Sequence, residues 1–419
     1  MSSIKISIER IQVGLHIKLP LQWMDHPFLF SEFKIKDQQQ INLIRRMGLE
    51  FVYVLPEKSD TSVLPPGSHA HSPLQEEESR KLDLIAEELW KEKQQKINIQ
   101  KDYRRKIQRC EKNFSNSMSQ LRSVLNKINS RPLSAVQEAE LLVDSLVDTL
   151  LSADNVTLHL MSNKKEKDDI YFHSLNVAVL SMIVAKANNM SSKDIKTIAI
   201  GALFHDMGKG KIPTAITRKT VPLTKPEEHY FQLHPQYSLE LANLANNFPP
   251  AAKPILNQHH ECIDGSGYPH QLKGKEIDLY AQLVAVTDAY DRLCHPQNPA
   301  KRLTPHCALS VLFSKRSKQY NDKFMALLAR SIGIYPPGSV VQLSNQQLGL
   351  VISVNSDRLL FPNVLLYSAS VPANEALILD LAESNLKIIR AISPEKLPPK
   401  VSDYLNLFNR HSYYFDSDD

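Results

Sequence analysis

Cysteine and glycine are scarce in this sequence. Its 419 residues include 4 cysteines and 12 glycines, and no two cysteines form a CxxC pair. This usage argues against a disulfide framework and a thiolate zinc site, and it predicts a reducing cytoplasm as the compartment. The cysteines are Cys110, Cys262, Cys294 and Cys307.

Long apolar runs and a secretory signal are also missing. The longest apolar runs, such as residues 198–204 and 364–367, are far shorter than the roughly 18–20 residues of a membrane-spanning helix. The N-terminal sequence MSSIKISIERIQVG alternates charged and apolar residues, unlike a signal peptide. These absences predict a soluble protein with no membrane insertion.

The chain has little excess charge of either sign. It carries 50 Lys plus Arg against 45 Asp plus Glu, a net charge of +5. This balance gives no reason to expect DNA or RNA binding. A local basic run is more often a solvated helix face than a contact with nucleic acid or an acidic partner. That run comprises Lys101, Arg104, Arg105, Lys106 and Arg109.

Composition and periodicity divide the chain into five segments and predict a mainly α fold. Pro, Gly and Ser mark the linker, helical spacing from Ser134 to Leu160 and beyond opens the core, and β-branched runs follow the Pro-Pro-Gly at 336–338. The segments are a small α/β module at 1–60, a linker at 61–80, a charged helical connector at 81–133, a helical core at 134–338, and a β-rich appendage at 339–419 that ends in a frayed acidic tail.

An apolar stripe within the connector has two open interpretations. Its members fall at spacings of 4, 3, 4 and 3 residues, namely Phe114, Met118, Leu121, Leu125 and Ile128. Such a heptad pattern suits a homodimer through helices 81–130. An amphipathic helix packed on its own domain explains it equally well.

Metal-ligating residue types concentrate in one third of the chain. Ten of the 15 histidines lie between His159 and His306. Within that region His205 and Asp206 are adjacent near the end of an apolar helical stretch. Neutral imidazole and carboxylate are common ligands of iron, manganese and zinc, although a structural His-Asp pair would look the same.

Further candidate ligands occur at helix-compatible positions: His173, His234, His259, His260 and Asp288. A lone histidine on an apolar face is usually a satisfied core residue. A set of seven nitrogen and oxygen ligands is harder to explain by packing, because every buried polar group needs its own partner. The absence of cysteine from the set favours iron or manganese.

The order H, HD, H, HH, D resembles the ligand order of the HD metal-dependent phosphohydrolase superfamily. The segment HHECIDGSGYP at 259–269, followed by LKGKEI, resembles the signature of the HD-GYP family, bacterial signal-transduction phosphodiesterases that hydrolyse cyclic di-GMP. The resemblance covers about residues 169–338 and implies an all-helical HD-type catalytic core. Residues 4–60 are similar to a domain of undetermined role that often precedes this core.

The resemblance implies two metal ions that share Asp206. One would be held by His173, His205, Asp206 and Asp288, and the other by Asp206, His234, His259 and His260. Two cations that share a carboxylate can activate a nucleophile and neutralise the charge that develops on a phosphate. Asp206 and Lys209 would then be the catalytic residues, with Lys209 contacting the scissile phosphate.

Some family members bind a third metal through a glutamate one helical turn before the first histidine. Asp169 occupies that position, so a third ion and simple solvation of Asp169 are equal alternatives. The family also has a basic RPYR-like segment that binds the other substrate phosphate. This chain reads CHPQNPAKRLTP there, and either Lys301 and Arg302 bind the substrate or they are solvated loop charges.

The GSGYP segment suits either a ligand-binding loop or a structural turn. In the first case Gly265 and Gly267 admit backbone amides to a phosphate or guanine, and Tyr268 stacks on a base. The resemblance favours the binding loop. Glu261 and Asp264 would then orient the ligands or the loop.

The resemblance implies a metal-dependent phosphodiesterase that opens cyclic di-GMP to the linear dinucleotide, to GMP, or to both. The alternative is a catalytically silent receptor or scaffold that binds cyclic di-GMP or signalling proteins through its GYP face. All seven predicted ligands are present, whereas degenerate relatives usually lose some of them, and this favours the enzyme. A nucleotidase acting on mononucleotides is disfavoured by the GYP segment.

Overall fold

The computed structural model describes residues 3–28, 30–65, 76–152, 156–163, 169–355, 358–369, 371, 373, 376–405 and 410–417. The chain divides into two compact units, residues 1–104 and 105–419. The predicted fold class is confirmed, since helices dominate and small sheets lie toward both ends of the chain. The five predicted segments stay a prediction, and half of the linker, residues 66–75, lies outside the described residues.

The first unit contains a small antiparallel sheet and a helix. Its strands run in the order β1-β4-β2-β3. Alternate residues of the last strand, Val52 and Val54, are buried, as expected of a strand with one face on a core. The elements are β1 (Ile4–Ser7), β2 (His16–Lys18), β3 (Glu32–Lys34), α1 (Gln38–Arg46), β4 (Phe51–Val54) and the start of α2 (Glu76–Lys127).

A buried histidine makes this unit sensitive to acid. His26 is fully buried, and its Nε2 lies 2.9 Å from Ser31 Oγ. Burial, with the Lys93 ammonium as a second cause, lowers the pKa of His26 to about 4. The unfolded chain therefore binds the proton first as the pH falls through 6.5, and protonation favours unfolding.

We expect the free energy of unfolding of this unit to fall by on the order of 1–2 kcal/mol between pH 7 and pH 5. In His26→Gln that loss should be much smaller. Urea unfolding followed by tryptophan fluorescence measures it, because both tryptophans, Trp23 and Trp90, lie in residues 1–104. An equal pH dependence in the variant would contradict the assignment.

The second unit is a helical core joined to a sheet. The rest of α2 is followed by α3 (Pro132–Ser152), β5 (Val156–Asn163), α4 (Asp169–Ala187), α5 (Ser192–Phe204), α6 (Thr214–Thr217), α7 (Lys225–Phe231), α8 (His234–Asn243), α9 (Lys253–Gln258), α10 (Leu279–Cys294), α11 (Pro305–Lys315) and α12 (Asp322–Ile332). The final elements are β6 (Val340–Leu343), β7 (Leu348–Asn355), β8 (Asn363–Leu366), β9 (Ile378–Asp380), β10 (Ile388–Ala391), α13 (Pro399–Tyr404) and β11 (Arg410–Ser417).

The apolar stripe of α2 packs inside its own unit. Phe114, Met118, Leu121 and Ile128 are buried in the same core as α3 and α4. The ring of Phe114 meets that of Phe172 edge-on, with centroids 5.8 Å apart. Because the stripe is covered by its own chain, its burial favours the interpretation of an amphipathic helix packed on its own domain, and a homodimer through helices 81–130 stays a prediction.

The basic run lies on α2, N-terminal to the apolar stripe. Lys101, Arg105 and Arg109 are exposed, as expected of a solvated face.

Helix α4 is the centre of this core. It is apolar on all sides, as expected of a buried helix. Residues Ile170–Ala187 are long and apolar enough to cross a membrane, but 78% of that stretch is buried within the structure. Among the described residues no second helix meets this criterion. Because most of this stretch is buried, its apolar surface serves the packing of the core.

Two predictions about β structure are wrong. The helical pattern expected over residues 134–160 ends at Ser152, and β5 follows as a central strand between β7 and β11. The acidic end is not frayed over residues 410–417, which form β11 and pair with β5 along its whole length. Aromatic side chains anchor this strand, since Tyr413, Tyr414 and Phe415 are at most 5% exposed.

Candidate metal centre

The predicted ligands converge because most of them lie at helix ends that point to one place. His173 lies on α4 and Asp288 on α10. His205 and Asp206 directly follow α5, His234 begins α8, and His259 and His260 follow α9. Gly208 permits the approach of α8, since a Cβ there would lie 2.1 Å from the carbonyl oxygen of His234. All seven side chains are buried or nearly so.

Asp206 lies at the centre of the cluster, and its two oxygens face different histidine pairs. Oδ1 lies 3.2 Å from Nε2 of His234 and 3.7 Å from Nε2 of His259. Oδ2 lies 3.3 Å from Nε2 of His173 and 3.5 Å from Nε2 of His205. A carboxylate placed in this way has the geometry needed to bridge two ions.

The ligand atoms form two groups that share Asp206. One contains Asp206, His234, His259 and His260, and the other contains His173, His205 and Asp206. In each group these atoms lie within 4.8 Å of one another. Asp288 adjoins the second group, with Oδ1 3.0 Å from Nε2 of His173 and 3.5 Å from Nε2 of His205.

Backbone carbonyls set the orientation of three imidazoles. Nδ1 of His205 lies 2.7 Å from the oxygen of Ala202, and Nδ1 of His234 lies 2.8 Å from that of Phe231. Nδ1 of His259 lies 3.1 Å from the oxygen of Leu256. An Nδ1–H donated to a carbonyl leaves Nε2 as the lone-pair atom. Each Nε2 therefore faces Asp206 ready to accept a metal.

Two buried nitrogens support a metal at this position. Nε2 of His234 and Nε2 of His259 are buried and have no hydrogen-bond partner within the described parts of the chain. Buried polar atoms without a partner are rare in folded proteins. A divalent cation would satisfy both, so the residues present fit a metal.

Burial keeps three of the imidazoles neutral. It lowers the pKa of His234 to about 3 and lowers the pKa of His259 and His260 as well. The neighbouring His259 and the cationic guanidinium of Arg292 lower the pKa of His260 further. Neutral imidazole is the form that coordinates metals.

His173 differs from the other histidines. Burial alone would lower its pKa, but the carboxylates of Asp206, Asp288 and Asp291 outweigh burial and raise the pKa to about 10. Without metal its imidazole is therefore protonated at neutral pH. Metal binding there must release a proton, which makes the affinity rise with pH.

Lys209 lies beside the shared carboxylate. Its Nζ donates a hydrogen bond to Oδ2 of Asp206. Burial would raise the pKa of Asp206, but Lys209, His205 and Arg292 hold that pKa well below its usual range. Asp206 is therefore ionised. The ammonium of Lys209, which cannot bind a metal, lies beside its Oδ2.

Asp291 contacts a predicted ligand and was omitted from the sequence prediction. Its Oδ2 lies 2.6 Å from Nδ1 of His173, and its Oδ1 accepts from the Asn176 amide and lies 2.8 Å from Nδ1 of His295. The side-chain amide oxygen of Asn176, Oδ1, in turn accepts from the backbone N–H of Tyr413 in β11 at 2.8 Å. The C-terminal strand thus helps to orient the carboxylate that orients His173, a predicted metal ligand.

We expect Asp291→Asn to weaken Mn²⁺ binding by about 10- to 100-fold, the usual effect of removing a carboxylate that orients a metal-bound histidine. Calorimetric titration of the metal-free protein measures the affinity. Asp144→Asn is the matched control, because Asp144 is an exposed carboxylate paired with Lys196 at 2.7 Å. Equal affinities for the two variants would show that Asp291 does not support the site.

Arg292 is a second residue that the sequence prediction omitted. It lies one turn beyond Asp288 on α10. Its Nε lies 2.7 and 2.8 Å from the two oxygens of Asp288, and its Nη2 lies 3.2 and 3.3 Å from those of Asp206. The sequence could have indicated this contact, because Asp288 and Arg292 are four positions apart and residues with that spacing share a helix face.

The GYP loop borders the site through one residue. The ring of Tyr268 lies against that of His260, with centroids 4.7 Å apart. Glu261 holds the loop, accepting from the backbone N–H groups of His270 at 2.6 Å and Leu272 at 3.0 Å. Asp264 accepts from Ser266 within the loop. Both acids therefore orient the loop, whereas neither contacts a ligand among the hydrogen bonds of the described residues.

The loop glycines have structural reasons of their own. Gly265 has a φ of +81°, which favours glycine. A Cβ at Gly267 would lie 2.3 Å from the backbone nitrogen of Cys262. The structural-turn interpretation therefore accounts for both glycines, and their contact with a substrate stays a prediction.

Three other predicted site residues stay predictions. Arg302 lies near the buried thiol of Cys294, whose pKa is raised chiefly by burial. Lys301 is exposed. The side chain of Asp169 lies outside the described residues, so the third metal stays a prediction.

Two family models match the chain. Residues 3–139 match a domain of unknown function, DUF3391, and residues 149–324 match an HD domain. The first match agrees with the predicted resemblance of the N-terminal residues to a domain of undetermined role. The second contains every predicted metal ligand, from His173 to Asp288.

Named relatives agree with the family models. The chain is 25% identical over 381 residues to cyclic di-GMP phosphodiesterase PA4108 of Pseudomonas aeruginosa, covering 87% of this chain and 84% of the relative. It is 34% identical over 149 residues to the cyclic di-GMP phosphodiesterase response regulator RpfG of Xanthomonas campestris, covering 35% of this chain and 39% of the relative.

A solved structure, the HDG"Y"P protein Bd1817 of Bdellovibrio bacteriovorus, matches 78% of this chain and 98% of its own, at 16% identity and a TM-score of 0.42. The predicted resemblance is confirmed by the family models and the named relatives. Residues 149–324 are therefore similar to HD domains and residues 3–139 to the DUF3391 domain, and the named relatives are cyclic di-GMP phosphodiesterases.

Proposed function

We propose that this protein is a metal-dependent phosphodiesterase that hydrolyses cyclic di-GMP. The observation that carries the proposal is the pair of ligand groups that share the buried carboxylate of Asp206. A site for two neighbouring cations suits in-line displacement at phosphorus. The names of both relatives above, cyclic di-GMP phosphodiesterases, support the choice of substrate.

Bound divalent ions would supply an activated water and neutralise charge on the phosphate. The protein's own residues orient the reaction. Asp206 presents one oxygen to each ligand group, and Lys209 beside it offers a positive charge to the scissile phosphate. Tyr268, packed on His260, offers a ring edge or face to a guanine at the entrance.

The donor set suggests the metals. It contains only imidazole nitrogens and carboxylate oxygens, which suit Fe or Mn better than a structural zinc. We propose two ions, held as the resemblance implies, with Asp288 completing the group of His173 and His205. A third ion at Asp169 remains part of the proposal.

We also propose a cytoplasmic location and a role in lowering second-messenger levels. Other signalling proteins would bind through the GYP face. Lys301 and Arg302 would bind the second phosphate of the substrate.

The test is hydrolysis by protein purified without oxygen and loaded with Fe²⁺ or Mn²⁺, with metal content counted on the same sample. Cyclic di-GMP, cyclic GMP-AMP and GTP are supplied separately, and products are resolved by chromatography. We expect two ions per chain and turnover of cyclic di-GMP to the linear dinucleotide, GMP or both. GTP should be left intact.

Each other outcome identifies a different function. Full metal loading with tight binding of cyclic di-GMP but no turnover indicates a receptor. Faster turnover of GTP than of cyclic di-GMP indicates a nucleotidase. Hydrolysis that persists in the metal-free protein contradicts the two-metal proposal itself.

A further inference from the structure

Arg292 occupies the space between the two ligand carboxylates. Its guanidinium contacts both oxygens of Asp288 through Nε and both oxygens of Asp206 through Nη2, all between 2.7 and 3.3 Å. The same Nη2 lies 3.3 Å from Nε2 of His260. One cationic side chain thus touches members of both ligand groups.

This position conflicts with bound metal. A divalent ion binds through carboxylate lone pairs, and the guanidinium now donates hydrogen bonds to these lone pairs. The distance from the ion to a carboxylate oxygen is about 2.0–2.2 Å for Zn²⁺ and similar for Mn²⁺. Like charges so close together in a buried site repel strongly. Arg292 and the ions therefore compete for the same oxygens.

The side chain has somewhere to go. It is 32% exposed, whereas Asp206 and Asp288 are 1% and 3% exposed, so Arg292 reaches the carboxylates from the solvent side. His260 contacts both Arg292 and the ring of Tyr268. A guanidinium that leaves the carboxylates would lie at the entrance, beside the GYP loop.

We propose that Arg292 is a displaceable counter-ion of the metal centre that becomes a substrate-binding residue when metal enters. In the metal-free protein it balances the charge of Asp206 and Asp288. Once displaced, its planar fork binds a phosphate of the cyclic dinucleotide bidentately, as guanidinium groups do. The phosphate part of this proposal rests on the proposed function.

Arg292→Gln tests both parts, with Arg292→Lys as the conservative variant. Arg330→Gln is the matched control, because Arg330 is exposed in the last turn of α12. Mn²⁺ affinity is measured by calorimetry on metal-free protein without substrate. The KM and kcat for cyclic di-GMP are measured on Mn²⁺-loaded protein, and circular dichroism checks the fold.

In Arg292→Gln we expect Mn²⁺ to bind about tenfold more tightly, because its competitor is gone, and the KM to rise by about 10- to 100-fold with a smaller change in kcat. Arg292→Lys keeps the charge but loses the fork, so its KM should be intermediate. It carries the test if Arg292→Gln fails to fold. Arg330→Gln should match the wild type in both measurements.

Unchanged or weaker Mn²⁺ binding in Arg292→Gln overturns the counter-ion, and an unchanged KM overturns the phosphate contact. Failure of the proposed function has another signature. There the wild type and Arg330→Gln bind metal but do not hydrolyse cyclic di-GMP. The Mn²⁺ titrations of the Arg292 variants then still decide whether metal displaces the arginine.

Discussion

Replacing Asp206 with alanine will abolish both metal occupancy and hydrolysis. Its carboxylate is the one member common to the two ligand groups, and each oxygen faces a different pair of histidines. Removing it takes a ligand from both groups at once. We expect fewer than one ion per chain and a fall in turnover of at least about 10³-fold, measured by metal analysis and cyclic di-GMP hydrolysis.

Two further variants make this result specific. Asp206→Asn keeps the shape of the side chain but removes its charge, so it should also lose most metal while retaining the fold. Asp322→Ala removes an exposed carboxylate at the start of α12 and should keep full occupancy and rate. Two ions per chain in Asp206→Ala would show that the groups do not depend on a shared carboxylate.

The ligand set could be predicted because its members lie in short, recognisable segments. His205 and Asp206 are adjacent, His259 and His260 are adjacent, and the GYP signature follows the second pair. The structure then brings all seven predicted ligands into one buried cluster. Sequence motifs suffice to predict these ligands because each ligand lies at a helix end or on a helix, and the helices place their side chains in one cluster.

The residues around the ligands were harder to predict. Asp291 orients His173, which lies 118 positions away in the sequence. The side-chain oxygen of Asn176 accepts from the backbone N–H of Tyr413, which lies 237 positions away. Nothing in the local pattern of either segment announces such a contact. The strand β5 was missed for a similar reason, since its partners β7 and β11 lie far along the chain.

The C-terminal strand shows why composition misled the prediction. Residues 415–419 contain three acidic residues, which suggested a solvated tail. The three aromatic residues at 413–415 decide the outcome, because burying them stabilises the strand more than a few terminal charges oppose it. The backbone N–H of Tyr413 then donates to Asn176, which donates to Asp291, the residue that orients the predicted ligand His173.

Replacing Lys209 with methionine will reduce turnover of cyclic di-GMP while leaving the metal content unchanged. The ammonium contacts Asp206 but belongs to neither ligand group, so its loss removes no ligand. Its positive charge beside the shared carboxylate is available to the scissile phosphate, whose negative charge grows in the transition state. We expect kcat to fall by about 10²- to 10³-fold with a smaller change in KM.

Lys211→Met is the matched control for this experiment. Lys211 lies two positions away, on the same short turn after α5, but it is 39% exposed and pairs with Glu240 at 2.7 Å. The Lys211→Met variant therefore loses the same charge without losing a contact at the site, and its turnover rate should equal that of the wild type. If Lys209→Met loses metal in proportion to its rate, the lysine supports Asp206 and does not act on the phosphate. If both variants keep full activity, the charge beside Asp206 plays no part in the reaction.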